Sequence, residues 1–485
     1  MAADKGYYGL DYRSLIGLHR PSMSGAATGA TPDPMWDCYV GPIPFLLCNS
    51  KDRPYARKSV QSRRERLDQA REPGENSLDN AVWLRSQTSW HLGAGQAYSE
   101  PLEESAEIAR FRFNASAGVN PWTPGQLTLL NSTSQITTGA RCCVGVPGYG
   151  VLTSTAAAGV RMFNTVGGST QISTKTVGKL TSNGTRWFGI STSGLEWGDL
   201  SGATNEGAFA KAGLTALHWG KDRLWLGAGK ELFEVTATPP TLPAATYTFR
   251  SGSIVDIDSG AGGIYLLVND AFTSIFALSV KDDGTLNPPR EVATLPRGEV
   301  GNFIYGYLGR YLVIGTNKGV RVADCSSVNE LAVGPIVVAG DCQDAVGDGT
   351  YLYTSGSFPS TAGGAAKPGL HRLNLGSVVS QVSAYGDSAA ARYAYATDLW
   401  AETTGSTWSV TTYNGYLFMV AGSSASTSPL WQQASTLVSR GWVESGQISF
   451  STSERKAWAK RRSGSSGTGR LPWRRTPGPA KTRTG

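Results

Sequence analysis

The chain has 485 residues, of which 40% are hydrophobic, 10% aromatic and only 17% charged, with 60 glycines. This aromatic content excludes wholesale disorder, and no apolar run approaches the ~20 residues of a membrane-spanning helix. The net charge of +7 is concentrated at one end, because residues 455–485 hold ten Lys and Arg and no acidic residue. Residues 1–454 carry 34 basic against 37 acidic residues, so no nucleic-acid partner is expected for the body of the protein.

The first 75 residues predict an extended arm or small hairpin region. Gly and Pro interrupt each apolar island, including Val40–Leu47, and residues 51–75 are the densest charge cluster of the body. A short mixed-charge helix is expected at 59–71. No basic segment followed by an apolar run begins the chain, so no secretory signal is predicted. We interpret residues 1–75 as an assembly arm, ordered mainly by contact with neighbouring subunits.

Residues 76–134 predict a small β-rich domain or collar. Strand-like patterns occur at 81–85, 108–113 and 126–130. A turn cluster rich in proline, at 120–125, precedes the last of them.

From residue 135 to 450 the chain contains a diverged repeat, a turn and apolar strand followed by a second turn and strand. The seven copies begin their first strand near Tyr149, Arg186, Arg223, Ile264, Tyr311, Tyr351 and Tyr416. Their spacing of 37 to 47 residues, with one longer step of 65, matches the four-stranded blades of propellers. The long step leaves room for an insertion around Ser377–Ala396.

These repeats predict an all-β protein with a β-propeller of about seven blades. Radial stacking buries both faces of small sheets that could not fold alone. Closure of the ring is expected between a strand near 126–145 and one near 432–450. A six- or eight-bladed ring and a tandem β-sandwich are the alternatives. Residues 451–485 show no periodic pattern of apolar residues, and their composition predicts a basic, disordered tail.

Searches for catalytic and metal-binding motifs are negative. The four histidines His19, His91, His218 and His371 show no metal-ligand spacing, and no phosphate- or dinucleotide-binding loop occurs. The six cysteines, Cys38, Cys48, Cys142, Cys143, Cys325 and Cys342, are interpreted as buried reduced thiols, with a Cys325–Cys342 disulfide as the alternative. No catalytic residue, metal ligand or cofactor is therefore assigned, and the ligand-binding residues are unknown.

Two acidic groupings and four tryptophans are the remaining candidates. The acidic groupings are Asp256 with Asp258, and Asp341 with Asp344 and Asp348. Such carboxylates bind Ca²⁺ or act as acid and base in glycoside cleavage, but aspartate at strand ends commonly forms turns. Trp187, Trp197, Trp219 and Trp225 are interpreted as core between blades rather than as sugar-stacking faces.

Two stretches resemble minor tail proteins of siphophages that infect actinobacteria. They are residues 79–96 (DNAVWLRSQTSWHLGAGQ) and residues 111–127, which include Phe111-Arg-Phe113 and GVNPWTPGQL at 118–127. In that family the segment precedes a predicted propeller, and the same order is found in this chain. The tail after Lys460 departs from the family, where further β structure is expected.

The resemblance implies a virion component of the tail tip or fibre, acting in tail assembly and host attachment rather than as an enzyme. It implies assembly in the host cytoplasm, other tail proteins as partners, a homotrimer or ring of copies, and host wall glycan or a surface receptor as target. A propeller enzyme that degrades glycans, or a cellular propeller scaffold for protein interactions, are the alternatives, because the fold alone does not decide function.

Overall fold

The computed structural model describes the backbone of four strands within residues 1–75, then residues 87, 89–96, 108 and 111–446. Short gaps fall at 165–167, 203–204, 238, 282–284, 326–330, 360–365, 384–388 and 401–404. Met1–Ser451 forms one compact unit. The predicted helix at 59–71, the predicted strand at 81–85 and the basic tail from 451 lie outside the described residues.

The strands before the repeats belong to two small sheets. They are β1 (Leu15–His19), β2 (Cys38–Val40), β3 (Ile43–Cys48), β4 (Tyr55–Lys58), β5 (Ala115–Ala117), β6 (Val119–Asn120) and β7 (Thr128–Leu129). The first four form an antiparallel meander whose β1 pairs with a strand from the other end of the chain, β35 (Arg440–Glu444). On its other side β35 pairs with β5, so both ends of the chain share this sheet.

The repeats form the remaining strands, which fall into three consecutive sets along the chain. The first set is β8 (Asn131–Val146), β9 (Gly150–Thr155), β10 (Gly159–Phe163), β11 (Ser169–Ser173), β12 (Lys179–Ser182), β13 (Arg186–Ile190), β14 (Gly194–Asp199), β15 (Gly207–Ala210), β16 (Leu214–Gly220), β17 (Arg223–Ala228), β18 (Glu231–Val235) and β19 (Tyr247–Thr248). The second set is β20 (Ser253–Gly260), β21 (Gly263–Asn269), β22 (Thr273–Leu278), β23 (Arg290–Thr294), β24 (Gly301–Tyr307), β25 (Tyr311–Thr316), β26 (Gly319–Asp324) and β27 (Ala332–Ala339). The third set is β28 (Asp341–Gly347), β29 (Leu352–Pro359), β30 (Ala366–Ser383), β31 (Ala389–Trp400), β32 (Ser406–Tyr413), β33 (Tyr416–Gly422) and β34 (Ser428–Leu437).

These strands form five four-stranded antiparallel meanders, from β12–β15 to β28–β31, and one seven-stranded sheet. The strands that begin the five meanders, together with β32 and β8 of the seven-stranded sheet, contact one another in cyclic order: β8, β12, β16, β20, β24, β28 and β32. We call these seven strands the inner ring. The predicted fold class, an all-β propeller, is confirmed. The count of about seven blades stays a prediction, which rests on the seven strands of the inner ring.

The ring is closed by β8, which joins β9–β11 to β32–β34 within the seven-stranded sheet. Its first half pairs with β34, from Leu437 opposite Asn131 to Ser428 opposite Ala140. Its second half pairs with β9. The predicted closure is confirmed, with a partner strand that begins at 428 rather than near 432.

All seven repeat copies are the second and third strands of their sheets, as the turn and apolar pattern indicates. Strand β9 is buried at all six positions, and six of the seven residues of β21 are buried. Glycine precedes or begins many of these strands because the turns need a positive φ. The long step between the last two copies is an extended hairpin, β30 and β31, of 18 and 12 residues.

The collar segment packs on this extended hairpin. Trp90, Phe113 and Trp122 are buried with Val379 and Ala396 of the hairpin. The predicted strand at 108–113 is wrong for its described residues, since Ile108 is helical and Phe111–Phe113 form no ladder. Their backbone groups bond instead to the loop at 92–96, for example from the Phe113 N–H to the Gly93 carbonyl at 3.0 Å.

Candidate functional site

The inner ring is the place where the sequence-predicted acidic residues meet. Six of its strands are the edges of their sheets, and the second half of β8 pairs on one side only, with β9, so backbone N–H groups that face the neighbouring inner strand lack a ladder partner. Side chains of the preceding inner strand accept hydrogen bonds from these N–H groups. We call these bonds the ring tethers.

Six ring tethers cover four consecutive steps, from β20 through β24, β28 and β32 to β8. The donors and acceptors are Ile304 N to Asp256 Oδ2 at 3.0 Å, Gly306 N to Asp258 Oδ2 at 3.0 Å, Gly347 N to the Tyr305 hydroxyl at 3.0 Å, Val410 N to Asp344 Oδ2 at 3.0 Å, Cys143 N to Ser409 Oγ at 3.3 Å and Gly145 N to Thr411 Oγ1 at 2.7 Å. In every case the N–H belongs to the next inner strand in ring order, which for β32 is β8. The tethers therefore run in one direction around the ring.

A β-bulge places the acceptors. Six of the seven inner strands show a register shift at the same position of the strand, next to residues 141, 215, 255, 302, 343 and 408. Asp256, Asp344 and Ser409 are each the residue that follows the bulge. Because a bulge turns the strand and redirects its side chains, the same shift aims all three toward the next sheet.

The carboxylates of β20 lie between charged and polar neighbours from three strands. Lys179 Nζ of β12 is 3.4 Å from Asp256 Oδ1 and also donates to the Val255 carbonyl at 3.1 Å. His218 Nδ1 of β16 is 3.4 Å from Asp258 Oδ1, and its Nε2 is 3.2 Å from Ser259 Oγ. Lys179 thus faces Asp256, and the charges of Asp256 and Asp344 both act on Asp258.

Burial makes these carboxyl groups weak acids. The pKa of Asp258 is raised to about 7, mainly by burial. The hydrogen bonds from the Ser259 and Gly306 N–H groups lower this pKa, whereas the charges of Asp256 and Asp344 raise it. Burial likewise raises the pKa of Asp344 to about 6. The pKa of Asp256 is also raised by burial, although Lys179 opposes the shift. Burial lowers the pKa of His218 to about 4, so this imidazole is neutral at pH 7.

The second acidic grouping is divided by the structure. Asp344 belongs to the inner ring, where its Oδ2 also accepts from Ser409 Oγ at 2.9 Å. Asp341 accepts from Asn302 Nδ2 at 2.9 Å. Asp348 forms a turn, accepting from the backbone N–H groups of Thr350 and Tyr351 at 2.8 and 2.7 Å. The turn-forming interpretation therefore holds for Asp348 only.

The tryptophans, His91 and His371 are structural. Trp187, Trp197 and Trp225 are buried, which confirms the core interpretation, and the half-buried Trp219 stacks on Phe188 at 5.8 Å. His371 is buried, with Nδ1 3.0 Å from Thr397 Oγ1. His91 Nδ1 is 2.6 Å from Ser89 Oγ. The side chain of His19 lies outside the described residues.

The described cysteines are buried thiols. Cys142, Cys143, Cys325 and Cys342 are all free, so the alternative of a Cys325–Cys342 disulfide is wrong. Burial raises the pKa of Cys142 to about 12 and that of Cys143 beyond it, because both thiols lie inside the ring. These thiols are therefore inert at neutral pH.

Among the described residues, no group of three or more His, Cys, Asp or Glu side chains is arranged to hold a metal ion. Within the same part of the chain, no helix is long and apolar enough to cross a membrane. The inner ring can accept hydrogen bonds and exchange protons near pH 6 to 7.

In comparisons with known proteins, the chain is similar to solved structures. No protein-family model matches it, and no curated protein sequence is similar to it. Among solved structures, a streptogramin B lyase is 13% identical, with a TM-score of 0.45 over 62% of this chain and 97% of that one. The extracellular domain of a one-component system from B. thetaiotaomicron is 10% identical, with a TM-score of 0.43 over 63% of this chain and 40% of that one. The computationally designed Ika8 protein is 11% identical, with a TM-score of 0.38 over 62% and 98% of the two chains. Likenesses this distant carry no information about activity.

Proposed function

We propose that the chain is a structural component of a phage tail, at the tail tip or fibre, that serves tail assembly and attachment to the host surface. The resemblance of residues 79–96 and 111–127 to minor tail proteins suggests this role. In the structure the described part of both stretches packs on the β30–β31 hairpin and on β35. The segment that carries the resemblance is thus integrated with the ring, as a fixed collar would be.

The ring tethers are the observation that favours a scaffold over an enzyme. Asp256, Asp258 and Asp344 each have an oxygen committed to the backbone of the next sheet. A carboxylate that acts as general acid or base must instead reach the substrate. The tethers join successive inner strands, and we assign binding to the loops of the ring, its collar and partner subunits.

Particle labelling tests the tail assignment directly. An antibody against the chain, or a cryo-EM map of the particle, is expected to place it at the tail tip. Deleting residues 1–75 is expected to leave a folded ring that no longer enters virions, because the deletion removes β1–β4. Incorporation of the truncated chain at normal copy number would contradict the arm interpretation, and absence of the full chain from particles would contradict the tail role.

A glycan-degrading enzyme is the second candidate, and the raised pKa values of Asp258 and Asp344 favour it. Carboxyl groups that titrate near neutral pH within one cluster are typical of acid–base sites. We expect no release of reducing sugars from host wall polysaccharide by the purified chain. Release that is lost in Asp258→Asn or Asp344→Asn, but retained in the turn variant Asp348→Asn, would establish the enzyme instead.

A further inference from the structure

Three side chains on neighbouring inner strands have the relative positions of a nucleophile, a base and an acid. His218 of β16 faces both Ser259 and Asp258 of β20. Its Nε2 is 3.2 Å from Ser259 Oγ, and its Nδ1 is 3.4 Å from Asp258 Oδ1. An imidazole that contacts a serine hydroxyl with one nitrogen and a carboxylate with the other is the arrangement that activates serine for acyl transfer.

This group lies where the inner strands end. Strands β16 and β20 finish within two residues of the group, and the turns that follow have exposed residues at 221–222 and 261. The side chains of His218 and Asp258 are each 16% exposed, and Ser259 is also half-buried rather than buried. The group is therefore open to solvent at this end of the ring, unlike the buried contact of His371.

The backbone fixes the acid beside the imidazole. Asp258 Oδ1 accepts the N–H of Ser259 at 2.6 Å, and Oδ2 accepts the N–H of Gly306 at 3.0 Å. Gly220 ends β16 so close to the group that a Cβ there would overlap His218 Nε2. In a serine–histidine–acid triad the acid orients the imidazole and does not touch the substrate. The ring tether of Asp258 is therefore compatible with this role.

The imidazole is also in the state that a general base requires. Burial lowers the pKa of His218 to about 4, so the ring is neutral at pH 7. The tautomer that donates from Nδ1 to Asp258 leaves Nε2 to accept the proton of Ser259. At pH 8 Asp258, with a pKa raised to about 7 by burial, is mostly ionised and stabilises the imidazolium that forms.

We propose that Ser259, His218 and Asp258 form a triad that hydrolyses short acyl esters. Ser259 Oγ attacks the ester carbonyl carbon while His218 Nε2 takes the hydroxyl proton. The tetrahedral intermediate collapses by breaking the bond to the alcohol, which leaves with that proton. Water, deprotonated by the same nitrogen, then attacks the acyl group, and Ser259 Oγ leaves with the proton, so the products are one acid and one alcohol.

The inference does not depend on the proposed tail function. Ester hydrolysis releases no reducing sugar, so it is also separate from the glycan-degrading candidate.

Turnover of p-nitrophenyl acetate and labelling by a fluorophosphonate test the triad in the purified full chain at pH 8. We expect continued release of p-nitrophenol after the first equivalent, and a label on Ser259 that peptide mass spectrometry identifies. Ser259→Ala and His218→Gln are expected to lower kcat/KM by about 100-fold or more. Ser253→Ala, a serine at the other end of β20, is the matched control and is expected to keep both the turnover and the label.

Asp258→Asn tests the positioning residue. It is expected to lower kcat by about 100-fold and to leave KM unchanged, because the acid does not contact the ester. Circular dichroism checks the fold of each variant, and labelling of the wild type tests the nucleophile without any substitution. Absence of turnover by the folded wild type, turnover unchanged in Ser259→Ala, or a label on a residue other than Ser259 overturns the proposal.

Discussion

The carboxylate of Asp258 accepts the backbone N–H of Gly306 at 3.0 Å across the gap between two sheets. The strands approach so closely at this point that a Cβ on Gly306 would overlap the carbonyl oxygen of Ser259. The tether and the glycine therefore depend on each other at this position, because a Cβ on residue 306 would push the two strands apart. Gly145 repeats the relationship at the closure of the ring, bonded to Thr411 and packed against the Thr412 carbonyl.

Gly306→Ala is expected to destabilise the fold by about 2–4 kcal/mol, because the overlap is with backbone that cannot rotate away. Chemical denaturation measures the effect. Gly178→Ala is the control, since its Cβ would meet only the Ile190 carbonyl at 3.9 Å. Equal stability of the two variants would mean that the inner strands are not held this close together.

Thr411→Val tests a single ring tether without changing the shape of the side chain. The N–H of Gly145 loses its acceptor at 2.7 Å, which costs about 1–3 kcal/mol for a buried donor. Thr412→Val, at the next position of β32, removes a hydroxyl that accepts no ring tether and is expected to cost less. The free energy of unfolding of the two variants, measured side by side, gives the difference. A cost in Thr412→Val equal to that in Thr411→Val would exclude a special role for the tether.

The stability of the inner ring is expected to depend on pH through Asp258. Its pKa is raised to about 7 in the folded protein, so between about pH 4 and pH 7 the folded protein binds more protons at this site than the unfolded chain does. The contribution of Asp258 to the free energy of unfolding is therefore lost as the pH rises from about 4 to 7. Asp258→Asn keeps an oxygen that accepts from Gly306 but removes the titration. Relative to the wild type, this variant is expected to gain on the order of 2–4 kcal/mol between pH 5 and pH 8.

The measurement must compare variant with wild type, because buried histidines titrate in the opposite sense. Burial lowers the pKa of His218 to about 4 and that of His371 to about 3, so their contribution is lost on acidification below pH 6.5. Asp348→Asn, which removes a carboxylate outside the inner ring, is measured in parallel as the control for loss of one carboxylate. A constant difference between Asp258→Asn and the wild type across pH 5 to 8 would show that Asp258 does not titrate there.

Leu308 occupies an unfavourable turn position. It is 63% exposed and has a φ of 53°, followed by Gly309 at 65°, in the turn between β24 and β25. The equivalent turn between β32 and β33 has Asn414 and Gly415 with φ values of 48° and 77°. Asparagine adopts the left-handed region at a lower cost than leucine. Leu308→Asn is therefore expected to stabilise the fold by about 1 kcal/mol, which is measured as a higher midpoint of thermal unfolding.

The reverse change provides the control for this turn. Asn414→Leu is expected to lower the stability by a similar amount, because it places leucine in the conformation that Leu308 now adopts. If both substitutions left the midpoint of thermal unfolding unchanged, the two turns would not share the left-handed conformation.

The repeat strands could be predicted because turn glycines and apolar runs are local signals. The ring tethers could not, since each joins strands some 40 residues apart or more and depends on how closely two sheets approach. One signal was nevertheless present. Asp344 and Ser409 each lie seven residues before the tyrosine that opens their repeat copy, and Asp256 lies eight before Ile264. An acceptor seven or eight residues before the marker residue of three repeat copies indicates a shared structural role rather than a catalytic pair.

The collar is attached to the β30–β31 hairpin through a glycine. Gly93 has a φ of 79°, and a Cβ there would lie 2.6 Å from the carbonyl oxygen and 2.7 Å from the nitrogen of Tyr395. The next residue, Ala94, donates its N–H to the same carbonyl at 2.6 Å. Gly93→Ala therefore cannot keep this bond, and residues 92–96 are expected to move away from the hairpin.

Gly148→Ala separates the two causes of strain, because Gly148 has the same φ of 79° but open space around it. Both variants carry the cost of a left-handed alanine, about 1 kcal/mol, and only Gly93→Ala adds the clash. Hydrogen exchange is expected to speed up at the Ala94 and Gln96 N–H groups of Gly93→Ala alone. Exchange at Ile304 and Gly306 should be unchanged in both variants, because the ring tethers do not involve the collar. Unaltered protection of Ala94 in Gly93→Ala would mean that the collar is held by its buried side chains, Trp90 and Phe113, rather than by this backbone contact.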